Sequence, residues 1–109
     1  MHAGLLHSDS VKKHYKQLSN ELGYILLPSE KRINSLGYHQ MWNNNITAAI
    51  EFFLWNVKSY PSSANAEDSL AEAYANMNDS ENAIIHYKKS LALDSDNINA
   101  LNMLKKLTN

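Results

Sequence analysis

The feature that most constrains this chain is an internal register. Leu36 lies 34 residues before Leu70, and Leu70 lies 34 residues before Leu104. At the same offset Gly37 meets Ala71, Asn44 meets Asn78, Ala49 meets Ala83 and Ile50 meets Ile84. Phe53 meets Tyr87, Val57 meets Leu91 and Ala66 meets Ala100. Self-similarity at a fixed period describes a unit that cannot bury its apolar face alone and therefore stacks on copies of itself. The residue types show how. Small Gly37, Ala49, Ala71 and Ala83 let two helices approach closely, while Leu36, Phe53, Leu70 and Tyr87 fill the space beside them. The stretch NVKSYPSSANAEDSLAEAY, Asn56 to Tyr74, leaves one helical pattern, breaks at Pro61 and enters another. It is the seam between two units.

Helical spacing of apolar residues marks about six helices, and no segment alternates as a strand would. The first spans 10–23 and carries Val11, Tyr15, Leu18 and Leu22; Gly23 suits a left-handed helix end and Pro28 blocks continuation. Ser29 caps the second, which holds Ile33, Leu36, Tyr38 and Met41 and fades into Asn43-Asn44-Asn45, where asparagine tolerates positive φ. The third holds Ile46, Ala49, Ile50, Phe53 and Val57. Ser63 caps the fourth, with Ala66, Leu70, Ala73, Tyr74 and Met77, and Asn78-Asp79 turns into the fifth, with Ala83, Ile84, Tyr87 and Leu91. The last begins near Asn97 and carries Leu101, Leu104 and Leu107. The expected fold is all-α: a flexible lead-in over 1–9, an N-terminal helix, one repeat over 30–61, a second over 64–95 and a capping helix over 97–107.

A helix–turn–helix period of this length, with Pro61 at its seam, resembles the tetratricopeptide repeat. The chain departs from that pattern in places. Ile33 and Glu67 stand where an aromatic is expected, Gln40 replaces a tyrosine that Tyr74 keeps, and Ser95 replaces a second proline. With HYKQLSNELGYILLPSE and INSLGY upstream, the seam is also similar to the C-terminal tail of bacterial esterases, α/β-hydrolases of the enterochelin-esterase-like type. That resemblance runs from about Lys12 to Leu107, with Asn56 in place of a small residue. It covers the tail alone, so no catalytic residue is implied for this chain. It implies either a non-catalytic binding module or an accessory part that positions or dimerises a hydrolase domain.

The chemistry of enzymes has little foothold here. The chain has 109 residues, one domain's worth, with three glycines, no cysteine and net charge −1. There is no G-x-S-x-G elbow, no glycine-rich phosphate loop and no thiolate metal site. The five histidines, His2, His7, His14, His39 and His86, show no ligand spacing, and His39 and His86 read as surface residues. We expect no catalysis, cofactor or metal. The charge balance offers nothing to nucleic acid, and no apolar run approaches the roughly 18 residues of a membrane span. The opening residues lack a signal peptide's pattern, which favours the cytoplasm.

The first helix of each unit lines a groove in the repeat family. The resemblance therefore nominates Lys31, Asn34, Tyr38, Met41 and Trp42 in the first unit, and Asn65, Asp68, Glu72, Ala75 and Asn76 in the second. Glu67, Asp68 and Glu72 are open to two readings: acids favoured at a helix start, or an acidic patch for a basic peptide. Trp42 and Trp55 are likewise open to core packing, edge-capping or ligand contact. A carboxylate clamp is disfavoured, because Asn99 and Met103 stand where basic residues would be needed. The expected partner is a protein or peptide, or a second copy of the chain should an end cap leave an apolar face bare.

Overall fold

The computed structural model describes residues 5–109. Six α-helices follow in order: α1 (Ser8–Leu22), α2 (Glu30–Trp42), α3 (Ile46–Ser59), α4 (Ala64–Asn76), α5 (Ser80–Leu93) and α6 (Ile98–Thr108). No strand occurs among the described residues, and the fold is all-α.

The helix starts repeat at the sequence period. Ser29 Oγ accepts from the Arg32 N–H at 3.1 Å, Ser63 Oγ from the Ala66 N–H at 3.0 Å, and Asn97 Oδ1 from the Ala100 N–H at 3.2 Å. Each cap satisfies a donor that the first helical turn leaves without a partner. The turns repeat as well. Asn44 and Asn78 both take φ 64°, and the next residue folds back in each case: the Asn45 N–H donates to Gln40 O at 2.8 Å and the Asp79 N–H to Tyr74 O at 2.9 Å. Asparagine reaches this left-handed region more readily than other residues bearing a Cβ. Across the helix pairs, Asn56 Nδ2 donates to Glu30 O at 3.2 Å and Ser90 Oγ to Ala64 O at 2.8 Å. Donors one period apart meet acceptors one period apart.

Packing follows the same register. From α2 to α6 each helix packs on the next, and α2 also touches α4, giving a body of 51 × 33 × 17 Å. One apolar cluster joins α2, α3 and α4 through Met41, Ala49, Ile50, Phe53, Leu70 and Ala73. Another joins α4, α5 and α6 through Ala71, Ala83, Tyr87 and Ala100. The closest approach is at Gly37, where a Cβ would stand 2.7 Å from Phe53 Cδ1 and Cζ. Small residues therefore set the spacing within each pair.

The N-terminal end departs from expectation. Of the lead-in expected over 1–9, residues 1–4 lie outside the described residues, and α1 begins at Ser8 rather than Ser10. Leu6 packs on the cluster of Ile33, Phe52 and Trp55, and its N–H donates to Gln40 Oε1 at 3.0 Å. Val11 joins the same cluster. Gly23, at φ 76°, ends α1, with its N–H donating to Ser19 O at 2.9 Å. Beyond it Tyr24, Ile25 and Leu27 are exposed.

Candidate functional site

The nominated residues divide by burial and by the contacts they make. Helix α2 turns Tyr38 and Trp42 to one side, four residues apart and so stacked one turn above the other. Their rings lie 5.7 Å apart and tilted by 34°. Helix α4 brings Glu72 alongside, and the Tyr38 hydroxyl donates to Glu72 Oε1 at 2.9 Å. One turn earlier on α4, Asp68 accepts from Asn99 Nδ2 of α6 at 3.0 and 3.2 Å. Near the ends of the helices Asn76 Nδ2 lies 3.2 Å from Met41 Sδ. One face shared by α2, α4 and α6 thus gathers Tyr38, Trp42, Asp68 and Glu72, with Asn76 at its far end.

Other candidates fall apart from this face. Met41 is buried in the core between α2, α3 and α4, so its thioether fills space there. Ala75 packs beside the cluster around Tyr87. Lys31 and Asn65 are exposed, and no hydrogen bond or ion pair joins them to the face. Asn34 is partly buried, with its Oδ1 unpartnered.

The two tryptophans separate. Trp55 is 8% exposed, packs with Ile33 and Phe52, and carries Lys12 Nζ at 5.4 Å from its ring centre. Trp42 is 75% exposed, which rules out core packing for it. The acidic trio also divides. Glu67 is 5% exposed and cannot belong to a surface patch. It accepts from His86 Nδ1 at 2.8 Å, and the imidazole stacks on Tyr74 at 5.6 Å. This corrects the expectation that His86 is a surface residue. His39 is exposed, as expected.

Electrostatics around the face are set by partial burial. The Tyr38 phenol is pushed up to about 12, chiefly by burial; Ser69 pulls it down, while Glu72 and Asp68 add to the rise. Burial also raises Tyr87, with Asp68, Glu72 and Tyr38 adding to it, so the buried Tyr87 lies under the same carboxylates. Asp68 is raised by burial, against the stabilising bonds from Asn99 and Asn97. Burial disfavours the charged form of each group. Asn99 and Tyr87 were not among the nominated residues. Asn99 was read only as the neutral residue at a clamp position; the register also points to it, since it stands 34 residues after Asn65.

Cavities lie elsewhere. One of about 350 Å³ opens between α1 and α2, lined by Leu6, Val11, His14, Tyr15, Arg32 and Leu36 among others. Another of about 300 Å³ lies between α1, the segment after it and Trp55. No group of three acidic, histidine or cysteine side chains among the described residues is placed to hold a metal ion. No described helix is long and apolar enough to cross a membrane. No protein-family model matches the chain, and neither does any curated protein.

Proposed function

We propose that this chain is a non-catalytic module of tetratricopeptide type that binds a protein or peptide along the shared face of α2, α4 and α6. The observation that carries this reading is the hydrogen-bond register. Caps at Ser29, Ser63 and Asn97, turns at Asn44 and Asn78, and the Asn56–Glu30 and Ser90–Ala64 bonds all recur at one period. Stacked helix pairs of this kind present their first helices as a continuous recognition surface. On that surface Trp42 is exposed and unusually large for a solvated position, as interface anchors are. Selection from a displayed peptide library tests the proposal. Enriched peptides lose binding to Trp42→Ala and Tyr38→Ala, and keep it with Lys88→Ala/Lys89→Ala on the outside of α5. Binding lost only in the lysine variant overturns the assignment of the face. Turnover of p-nitrophenyl acetate above the buffer blank overturns the non-catalytic reading.

A second reading, self-association, is favoured by Leu22 at the end of α1 and Tyr24, Ile25 and Leu27 just after it, each of them exposed. A dimer by light scattering that Ile25→Asp returns to a monomer supports it; a wild-type monomer at high micromolar concentration removes it.

A further inference from the structure

Among the described residues, no cation pairs with the carboxylates of the shared face. Among the described residues the ion pairs are His7–Glu51 and His86–Glu67, and neither involves this face. Glu72 accepts from a phenol and Asp68 from the neutral amides of Asn99 and Asn97. A carboxylate offers about four acceptor sites, so both retain unused capacity at half-buried positions. No described lysine, arginine or histidine forms an ion pair with Asp68 or Glu72. Lys106 stands one period after Glu72, yet no ion pair joins them. Residues 61–109 hold seven acids and four lysines, a balance of −3, against +2 for residues 1–60, and the two sum to the chain's −1.

Beside these acids stands an exposed aromatic surface. Trp42 is the best side chain for holding a cation over its ring, and Tyr38 beneath it is tied by its hydroxyl to Glu72. The indole, the phenol and a carboxylate form one connected unit. A long cationic side chain suits it, with the methylene stem on the aromatic rings and the charged head at the carboxylates.

We propose that the Tyr38–Trp42–Asp68–Glu72 face receives a lysine or arginine side chain of a partner peptide. This rests on the peptide-binding reading above and adds the charge of the occupant. Charge complementarity selects it. An acidic segment would meet two unneutralised carboxylates, whereas a cation gains both of them and the indole.

The test is a titration of isotope-labelled protein, followed by backbone amide signals and the Trp42 indole N–H. The probes are a blocked peptide alternating lysine and glycine, and its glutamate counterpart. The lysine peptide is expected to shift Tyr38, Trp42, Asp68 and Glu72, and the glutamate peptide is expected to shift none of them. Asp68→Asn and Glu72→Gln each keep one acceptor oxygen, for Asn99 and for Tyr38, and unchanged thermal melts verify that the fold is preserved. Each is expected to weaken lysine-peptide binding about fivefold, the equivalent of one modest ion pair. If binding stays centred on Tyr38 and Trp42 but is indifferent to both substitutions or to peptide charge, the cation assignment falls and the peptide-binding reading stands. If the lysine peptide shifts only Glu51 or Asp94 and Asp96, the cation assignment falls. If displayed peptides also miss the face, the peptide-binding reading falls with it. A mass that doubles in the wild type and is single in the Glu72→Gln variant overturns the assignment of the occupant to a separate partner.

Discussion

Replacing Gly37 by alanine separates close packing from helix propensity, because the two predict opposite signs. In a helix interior alanine is favoured over glycine by about 1 kcal/mol. At Gly37 the added Cβ would stand 2.7 Å from two ring atoms of Phe53 and closer still to a third. To restore a carbon contact of roughly 3.5 Å, the ring must retreat by about 1 Å. It has nowhere to go. Phe53 is fully buried, lies edge-on against Tyr38 at 5.2 Å, and shares its cluster with Ala49, Ile50 and Leu70. Overpacking of this kind costs about 1–3 kcal/mol, and a displacement of this size belongs in the upper half of that range. After the propensity gain, Gly37→Ala is expected to lose about 1–2 kcal/mol. At the matching position Ala71 is already accommodated, so Ala71→Gly loses a buried methyl and helix propensity, together about 2 kcal/mol. Both changes, opposite in chemistry, destabilise. Urea unfolding followed by circular dichroism reads this out, with an unchanged m-value certifying a stability effect. Phe53→Leu should cost less in the Gly37→Ala background than in the wild type, which is the signature of coupling through one contact. A Gly37→Ala protein more stable by about 1 kcal/mol would refute the reasoning, because the helices would then have room at this point.

Three further outcomes are expected. His86→Ala leaves the Glu67 carboxylate buried without its donor and loses about 3 kcal/mol. Glu67→Ile/His86→Phe installs the apolar pair found at Ile33 and Phe52 one period earlier and returns stability to the wild-type level or above; a double variant as weak as the single one contradicts this. The raised Tyr38 phenol makes stability depend on alkaline pH: its contribution is whole below the ordinary 10.0 and is lost as pH rises toward about 12. Tyr38→Phe flattens that descent, leaving the share of Tyr74 and Tyr87, and an equally steep descent in the variant would show that Tyr38 does not carry it. Ser63→Ala removes the α4 cap and a bond to Glu30, and is expected to cost about 1 kcal/mol in unfolding and to speed hydrogen exchange in the first turn of α4; unchanged exchange there would contradict the cap's role.

Much of the helical architecture was legible because its determinants are local or periodic. Ser29, Ser63 and Asn97 announce helix starts by side-chain chemistry a few residues long, and Asn44 and Asn78 announce turns through one dihedral. Gly37 against Phe53 was legible through the register, since a small residue and a large one recur together. The face was less legible, because a helical period assigns a residue to a side without saying what meets it there. Met41 and Trp42 are adjacent in sequence and both were nominated, yet one lies in the core and the other is three-quarters exposed. The choice depends on α4 passing beside α2, which no local pattern encodes. Glu67 shows the same limit from the other side. Its acid beside Asp68 is open to a patch or a helix-start reading until α5 brings His86 to within 2.8 Å. That pairing occupies the positions where the preceding unit places Ile33 and Phe52. The same contact between helices of a pair is thus made once with hydrocarbon and once with a hydrogen-bonded ionisable couple. A repeat preserves the geometry of a contact more strictly than its chemistry, so the register locates partners more reliably than residue type identifies them. By that reasoning the pairs to examine on the shared face are those one period apart. Among them Tyr38 and Glu72 touch, and Glu72 and Lys106 do not. The first bond ties α2 to α4, and the second pair leaves the Glu72 carboxylate without a cation from α6.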